Sequence, residues 1–299
     1  MQRAFPTNLI DYRDRASVLI WVVLMGLAAQ RFLALPERSF TAILLGSPVT
    51  LNITDNAILG ALLAGLVASG TEAVLRAHPN SLRSRRVASA RGLSGAGDRS
   101  EWSSSVNREH WVFWGLPIAL TVVAVLLLPL TPSVVYWVIG LIAMGIALGF
   151  SLTGIYYTVD PFQPGYRRAR LGLNALTYAA ALVLFLVVYR TRVRSIVSAT
   201  EVMLVSGLLA LELLRGSERP TVLVALYAGI TGLVLGQATW ALNYWRLDSL
   251  TGGLVLMIGF YNVVGLAQHG LQGRIRRRVL LEYGLITIAA LALIWEFAP

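Results

Sequence analysis

The chain contains no cysteine, which excludes disulfide frameworks, thiolate metal sites, iron–sulfur clusters and cysteine nucleophiles. It contains no lysine either, and all 25 of its basic residues are arginine. Charged residues make up only 13% of its 299 residues. A typical soluble chain carries about twice that share, so the low charge argues against a soluble globular protein.

Histidine is scarce, with only His78, His110 and His269. None of the three lies in the middle of an apolar stretch, so the opposed histidines of a transmembrane b-type haem are missing. The sequence also has no P-loop, no paired acidic motif for prenyl phosphates and no nucleophile–histidine set. We therefore predict no catalytic residue, no metal ligand and no cofactor, and we expect a protein that is not an enzyme.

What the chain does have is long apolar runs, in keeping with its 56% of hydrophobic residues and a mean hydropathy of +0.67. A helix needs roughly 20 residues to cross the hydrocarbon core of a bilayer. The predicted spans are Ser17–Leu35, Asn56–Leu75, Trp111–Leu130, Ser133–Val159, Leu171–Tyr189, Ser195–Leu214, Thr221–Tyr244, Leu250–Gln268 and Val279–Phe297. The predicted fold class is all-α transmembrane: a polytopic helical bundle of eight to nine spans that forms a single domain over residues 1–299.

The distribution of arginine predicts the orientation of these spans. With the N-terminus counted as the first segment, 19 of the 25 arginines fall in odd-numbered segments between spans. Because cytoplasmic loops carry an excess of arginine, the N-terminus should be cytoplasmic and the C-terminus outside if there are nine spans. The first span also has features of a cleaved signal peptide, but hydrophobicity continues through Phe32–Leu35, which favours an uncleaved anchor.

Two segments between spans differ from the rest. Phe40–Thr54 is β-prone on both sides of a turn at Gly46-Ser47-Pro48, which predicts a short β-hairpin on the outer surface. Residues 78–109 are rich in serine, glycine and charge, so they predict a flexible cytoplasmic loop.

The loop at residues 78–109 bears on the partners of the protein. Its arginines Arg83, Arg85, Arg86 and Arg91 are candidate contacts for the headgroups of anionic lipid. Nucleic acid is the alternative partner for a chain of net charge +10. The loop has a single aromatic residue, Trp102, where single-stranded nucleic acid usually stacks on several. The bilayer, with its anionic lipid, is therefore the predicted partner.

Most ionisable residues lie near span ends at the spacing of helical ion pairs. The predicted pairs are Glu72 with Arg76, Glu212 with Arg215, and Arg278 with Glu282. In these pairs the charged residues have a structural role, so few charged residues remain as candidates for chemistry.

Glu201 differs from these residues because it lies about two turns inside the sixth span. It is eleven residues from Glu212, so the two carboxylates share one face of a helix. With Gln237 and Asn262 in the next two spans, they form a candidate polar pathway for a proton, ion or small solute. The alternative is that these polar groups join helices, as buried amides often do in membranes.

Small residues recur at packing intervals in the seventh and eighth spans. They are Gly229, Gly232, Gly236, Gly252, Gly253 and Gly259. Small residues let helices approach closely, so these glycines predict close helix–helix contacts.

Four short stretches resemble a known family. They are Leu75-Arg76-Ala77-His78-Pro79, Ala241-Leu242-Asn243-Tyr244-Trp245, Gly259-Phe260-Tyr261, and Gly273-Arg274-Ile275-Arg276-Arg277-Arg278 followed by Glu282-Tyr283. Together they are similar to a family of bacterial polytopic membrane proteins of unknown function. The resemblance implies a helical protein of the bacterial inner membrane, and it implies no activity and no functional residues.

Two functions remain open from the sequence. The first is a non-catalytic membrane protein, an accessory or scaffolding subunit with protein partners in a larger membrane assembly. The second is a small-solute or ion transporter that uses Glu201, Glu212, Gln237 and Asn262.

Overall fold

The computed structural model describes residues 7–32, 38–44, 47–53, 55–76, 110–159, 165–191, 195–217, 219–245, 248–274 and 276–297. These residues form nine α-helices and two β-strands. In chain order they are α1 (Thr7–Ala29), β1 (Arg38–Leu44), β2 (Ser47–Ile53), α2 (Asp55–Arg76), α3 (Gly115–Leu127), α4 (Val134–Thr158), α5 (Tyr166–Thr191), α6 (Ser195–Leu214), α7 (Thr221–Leu242), α8 (Ser249–Leu271) and α9 (Arg277–Phe297). Short 3-10 segments, His110–Trp114 and Leu128–Leu130, extend α3 at both ends.

Seven helical segments in the described part of the chain are long and apolar enough to cross a membrane. They are α2, the continuous segment from His110 to Leu130, and α4 to α8. Helix α6 has the same bounds as the predicted sixth span. Helices α1 and α9 carry charged residues in their first two turns, which shortens their apolar part. A helical protein suited to a membrane is therefore what the structure supports.

The two strands pair with each other in antiparallel fashion, from Arg38 opposite Ile53 to Leu44 opposite Ser47. They occupy the segment in which the sequence predicts a hairpin. The predicted turn residue Gly46 lies outside the described residues. So does the predicted loop at residues 78–109, with Arg83, Arg85, Arg86 and Arg91, and the predicted lipid contacts stay a prediction.

The chain divides into two compact units. Unit 1 comprises Met1–Asn107 and Leu120–Gln163, and unit 2 comprises Arg108–Ala119 and Pro164–Pro299. Helix α3 passes from unit 2 into unit 1 at residue 120.

In unit 1, α1 packs against both α2 and α4. Gly70 of α2 lies directly against the side chain of Leu19, so the two helices approach closely at this position. Two turns before Leu19 in α1, the rings of Tyr12 and Tyr156 lie with their centroids 4.1 Å apart. The guanidinium of Arg31 lies 5.5 Å from the ring centroid of Trp137 in α4. Small and aromatic residues therefore hold the helices of unit 1 together.

In unit 2, each helix from α5 to α9 packs against the next one along the chain, and α5 also packs against α8. The most extensive contact joins α6 and α7. A Cβ atom at Gly232 would overlap the carbonyl oxygen of Met203, so only glycine permits this approach. Gly252 and Gly253 of α8 lie in the same way against Tyr189 and Leu186 of α5. The predicted packing role of these glycines is confirmed.

Gly229 and Gly259 differ from the other glycines of the predicted set. A Cβ at Gly229 would meet nothing within 4 Å, so no helix approaches it in the described residues. A Cβ at Gly259 would make an ordinary contact of 3.8 Å with Leu235. The prediction of close packing is therefore wrong for Gly229, which borders an open groove.

Candidate functional site

A buried cluster of three charged side chains lies where the start of α5 meets the end of α6. Glu212 is completely buried, and both of its carboxylate oxygens bind Arg215, with Nε to Oε2 and Nη2 to Oε1 at 2.7 Å. Arg170 of α5 adds a longer contact, 3.3 Å from Nη1 to the same Oε1. The predicted ion pair of Glu212 and Arg215 is confirmed, and the structure adds Arg170 to it.

Arg170 also caps helix α6. The last carbonyl groups of an α-helix have no partner within the helix and need a donor from elsewhere. Nη2 of Arg170 donates at 2.9 Å to the backbone oxygens of both Glu212 and Leu213. One guanidinium therefore satisfies a carboxylate and two carbonyls, a use of its planar set of donors that lysine could not match.

The ring of Phe113 closes the cluster on another side. The guanidinium of Arg215 lies 4.5 Å from the ring centroid, within the range of a cation–π interaction. Phe113 belongs to the 3-10 segment before α3, and the Cβ of a residue at Gly115 would touch the carbonyl oxygen of Leu208. This segment of the chain therefore packs closely on the last two turns of α6.

A second arginine caps a second helix at the same end of unit 2. Nε of Arg219, just before α7, donates at 2.6 Å to the carbonyl oxygen of Leu271 in the last turn of α8. Helix α8 ends at Leu271, and Gly273, two residues later, has a φ of +67°, the left-handed conformation that favours glycine. The backbone N–H of Arg274 returns to the carbonyl of His269 at 3.0 Å, which completes a Schellman motif.

In unit 1, Arg15 of α1 makes a similar contact at the end of α2. Its Nη1 donates to the carbonyl oxygen of Ala73 at 3.3 Å. Glu72 and Arg76 of the same turn form the predicted ion pair at 2.7 Å. Three helix C-termini are thus capped by an arginine from a neighbouring segment, which also places a positive charge at the negative end of each helix dipole.

The cap residues of unit 2 belong to a larger group of arginines. The starts of α5, α7 and α9 and the ends of α6 and α8 lie together, as the contacts of Arg170 and Arg219 require, and we call this the arginine end of unit 2. Its members are Arg167, Arg168, Arg170, Arg215, Arg219, Arg274, Arg276, Arg277 and Arg278. All except Arg170 and Arg215 are exposed.

The third predicted ion pair is not formed. Arg278 and Glu282 are both exposed at the start of α9, and within the described ranges no ion pair joins them. An exposed pair of this kind gains only about 0.3–0.5 kcal/mol, which water readily offsets. The prediction of this pair is therefore wrong.

The four residues of the predicted polar pathway lie on three helices. Glu201 is half-buried in α6, whereas Glu212 is enclosed in its arginine cluster. Gln237 of α7 is exposed, and Nδ2 of Asn262 donates at 2.7 Å to Ile258 in its own helix. Among the residues that the structure describes, no hydrogen bond or ion pair joins any two of the four. Arg194, the arginine nearest to Glu201 in the sequence, lies outside the described residues.

One interhelical hydrogen bond is found near Glu201 at the opposite end of unit 2. Nδ2 of Asn243, at the end of α7, donates to the hydroxyl of Ser198 in α6 at 2.9 Å. Ser198 is buried, and it lies one turn before Glu201 on the same helix. The polar side chain that joins α6 to α7 is therefore Asn243 rather than Gln237.

An apolar groove of about 640 Å³ runs along α6 and α7. Its walls include Leu204, Leu208 and Leu211 of α6 and Leu226, Ile230 and Leu233 of α7. Gly207, Gly229 and Trp111 also line it. The volume lies within the range of small-molecule sites, about 300–1,000 Å³. Among the described residues no group of three His, Asp or Glu side chains could hold a metal ion.

Sequence reasoning missed Arg170 and the groove. Arg170 is 42 residues from Glu212, and it follows Arg167 and Arg168 in a segment that reads as an ordinary basic loop. In the structure, helix α5 begins at Tyr166, four residues before Arg170. A prediction that began the helix there would have placed Arg170 inside it. For the groove, no signal in the sequence distinguishes the open Gly229 from the close-packed Gly232.

The arrangement defines a class of protein: a mostly helical chain with several membrane-length helices, whose charged residues are gathered at helix ends. The chain belongs to the family described as "Protein of unknown function (DUF5656)", whose model matches residues 35–296. This match covers most of the chain and agrees with the uncharacterised family expected from the short motifs. No curated protein and no solved structure gives a significant match.

Proposed function

We propose that the chain is a non-catalytic integral membrane protein that serves as an accessory or scaffolding subunit of a larger membrane assembly. In this proposal all nine helices span the bacterial inner membrane, with the arginine end of unit 2 in the cytoplasm and the β1–β2 pair outside. The excess of arginine on the predicted cytoplasmic side supports this orientation.

The observation that carries the proposal is the exposure of helix α9. Among the described side chains of this helix, one stripe is half-buried, at the spacing of a single helical face: Val279, Tyr283, Thr287 and Ala290. The remaining described side chains of α9 are exposed, among them Leu281, Leu285 and Ile288, which are each about 70% accessible. A helix held along one stripe offers most of its apolar surface for contact with another membrane protein.

The charged and polar groups of the other helices also serve packing rather than chemistry. Glu212, Arg170 and Arg215 neutralise one another in part and are committed to holding α5 and α6 together. Interhelical contacts rely on glycine and aromatic packing, as in stable membrane bundles. These features support a structural role.

A photo-crosslinking residue at Ile288, introduced into the full chain in its native membrane, tests the proposal. Irradiation should join the chain to one discrete partner protein. The matched control is the same residue at Thr287, which lies on the half-buried stripe of α9 and should give internal cross-links only. Cross-links from Ile288 to lipid alone, together with a monodisperse monomer after gentle extraction, would contradict the accessory role.

The second candidate function is a transporter, and Glu201 is the observation that favours it. This carboxyl group is half-buried within an apolar helix, and no ion pair to it is found within the described residues. An ionisable residue inside a membrane span is expensive and commonly marks a pathway for protons or ions. The half-buried position supports this candidate better than the enclosed Glu212 does.

Purified protein in liposomes loaded with a pH-sensitive dye tests this candidate. A transporter should carry protons or cations, and Glu201→Gln should reduce the transport rate at least about tenfold. Removing one essential proton-transfer group lowers a rate by about 10²–10⁴-fold, so a tenfold reduction is a conservative expectation. Glu282→Gln is the matched control because Glu282 is exposed at a helix end. Equal leak rates for the parent chain, both variants and empty liposomes would exclude the pathway.

A further inference from the structure

The turn between α8 and α9 carries positive charge that no neighbouring carboxylate balances. Its arginines are Arg274, Arg276, Arg277 and Arg278, and all of their side chains are exposed. Helix α9 has no acidic residue in its first turn, and Glu212 is enclosed in its own cluster. Within the ranges that the structure describes, no ion pair joins these arginines to Glu282 or to another carboxylate, and Glu218 lies outside those ranges. The charge of the α8–α9 turn, residues 273–278, is therefore open to an anion from outside.

Arg219 is held beside this turn by the fold. Its Nε donates to the carbonyl oxygen of Leu271, and its Nη2 lies 3.9 Å from the position that a Cβ at Gly273 would take. In the described part of the chain, no hydrogen bond or ion pair engages Nη1 or Nη2 of this exposed side chain. Because Arg274 follows Gly273 directly, the guanidinium of Arg219 lies next to the start of the arginine run. Its anchored, planar fork presents two nitrogens in the geometry that suits the oxygens of a phosphate.

The ends of the apolar helices give the level of these arginines relative to a membrane. Helix α7 begins at Thr221, two residues after Arg219, and α8 ends at Leu271, three residues before Arg274. Both helices are apolar enough to cross a membrane over their whole length. Two or three residues correspond to about 5 Å or less along a helix, and the headgroup layer of a bilayer is roughly 5–7 Å thick on each side. The arginines therefore lie at the level of lipid phosphates, which favours a lipid over a protein segment in the cytoplasm.

Apolar side chains are exposed directly after the arginines. Leu280 and Leu281 follow Arg278 by two and three residues, and they are 50% and 72% accessible. The surface thus changes from positive charge to hydrocarbon within about one turn of α9. An anionic phospholipid presents its groups in the same order, from phosphate to acyl chain.

We propose that the α8–α9 turn binds an anionic phospholipid, whose phosphate contacts Arg219, Arg274 and Arg276 and whose acyl chains pass Leu280. Guanidinium groups bind phosphate through strong charge-assisted hydrogen bonds. The uncompensated charge of the turn favours a headgroup with a net negative charge over a zwitterionic one. The inference rests on the membrane location and orientation of the proposed function. It concerns the first turn of α9 and not the surface around Ile288 that is proposed for a protein partner.

The test uses the full chain in nanodiscs that contain equal amounts of phosphatidylglycerol and phosphatidylcholine. After release into a mild detergent, native mass spectrometry measures which lipid stays bound. The parent chain should retain phosphatidylglycerol in several-fold excess over phosphatidylcholine. Equal retention of the two lipids, or retention of neither, would overturn the proposal.

Two double variants assign the bound lipid to this turn. One arginine near an anionic surface raises affinity by about fivefold, so Arg274→Gln with Arg276→Gln should bring the ratio of the two lipids close to one. Arg167→Gln with Arg168→Gln is the matched control, because it removes the same charge from exposed residues at the start of α5. The control should keep most of the preference, and an equal loss in both double variants would refute a site at the turn. Arg219→Gln should also lower the ratio, and if it fails to fold, the double variants decide.

The remaining outcomes are also distinct. Displacement of phosphatidylglycerol by inorganic phosphate at constant ionic strength would show that the turn takes free phosphate and would overturn the lipid. A protein that co-purifies with the parent chain and is lost in the Arg274→Gln, Arg276→Gln variant would show that an acidic protein segment occupies the turn instead. A chain found in the soluble fraction would refute the membrane location on which the proposal rests. Loss of the lipid preference alone, with the chain in the membrane and Ile288 still cross-linked to a partner, overturns this inference and leaves the proposed subunit role unaffected.

Discussion

Replacing Arg170 by alanine should destabilise unit 2 far more than replacing any neighbouring exposed arginine. The substitution removes one ion-pair contact to Glu212 and two hydrogen bonds to the carbonyl oxygens at the end of α6. Hydrogen bonds between membrane helices contribute about 0.6 kcal/mol each on average and up to about 1.7 kcal/mol. The loss of all three should therefore lower the free energy of unfolding by about 2–5 kcal/mol.

Arg168→Ala is the matched control because Arg168 lies in the same turn of α5 and is exposed. Its effect should stay within about 0.5 kcal/mol, as for most surface substitutions. The Arg76→Ala variant should cost only about 0.3–0.5 kcal/mol, because Arg76 forms a pair that is half exposed. Arg170→Lys should restore part of the loss, since lysine keeps the charge but lacks the planar set of donors.

The measurement is reversible unfolding in mixed micelles by titration with sodium dodecyl sulfate, followed by circular dichroism. A double-mutant cycle with Glu212→Gln separates the ion pair from the two carbonyl bonds, because only the ion pair depends on the carboxylate. An Arg170→Ala variant as stable as Arg168→Ala would refute the view that the cap holds α5 to α6.

Two further predictions concern packing and orientation. Gly232→Ala should destabilise the protein by about 1–3 kcal/mol, because the added methyl group overlaps the backbone of α6. Gly229→Ala should leave stability unchanged or slightly higher in the same titration. Equal losses of stability in the two variants would contradict the packing argument. Since the chain has no cysteine, Gln272→Cys and Trp245→Cys each provide a single thiol. A membrane-impermeant maleimide should label them from opposite sides, with Gln272→Cys on the cytoplasmic side, and labelling from one side would contradict the proposed orientation.

The helices themselves were largely predictable because long apolar runs are local in the sequence. Residues 195–214 were delimited correctly by polar residues at both ends, and the pair of Glu212 and Arg215 follows from helical spacing within one element. The contact of Arg170 with Glu212 spans 42 residues and depends on which helices become neighbours. Periodicity within one helix carries no information on that choice.

The polar residues were the least predictable feature for a related reason. Whether an amide faces a helix neighbour or the surrounding lipid depends on the rotation of its helix about its own axis, which the packing of small residues determines. Gln237 turned out to be exposed because the close-packed face of α7 is the one that carries Gly232 and Gly236. Asn243, near the end of the same helix, makes the bond to Ser198 instead.

The caps by Arg15, Arg170 and Arg219 divide the arginines of this chain into two kinds. A molecule inserted upside down would keep every cap, because both partners of each bond would be inverted together. The exposed arginines that cap no helix, such as Arg168 and Arg277, act only through the difference between the two sides of the membrane. Neutralising them should therefore shift the fraction of inverted molecules while leaving each one equally stable, whereas removing the cap by Arg170, which is enclosed in its cluster, should lower stability and leave that fraction unchanged.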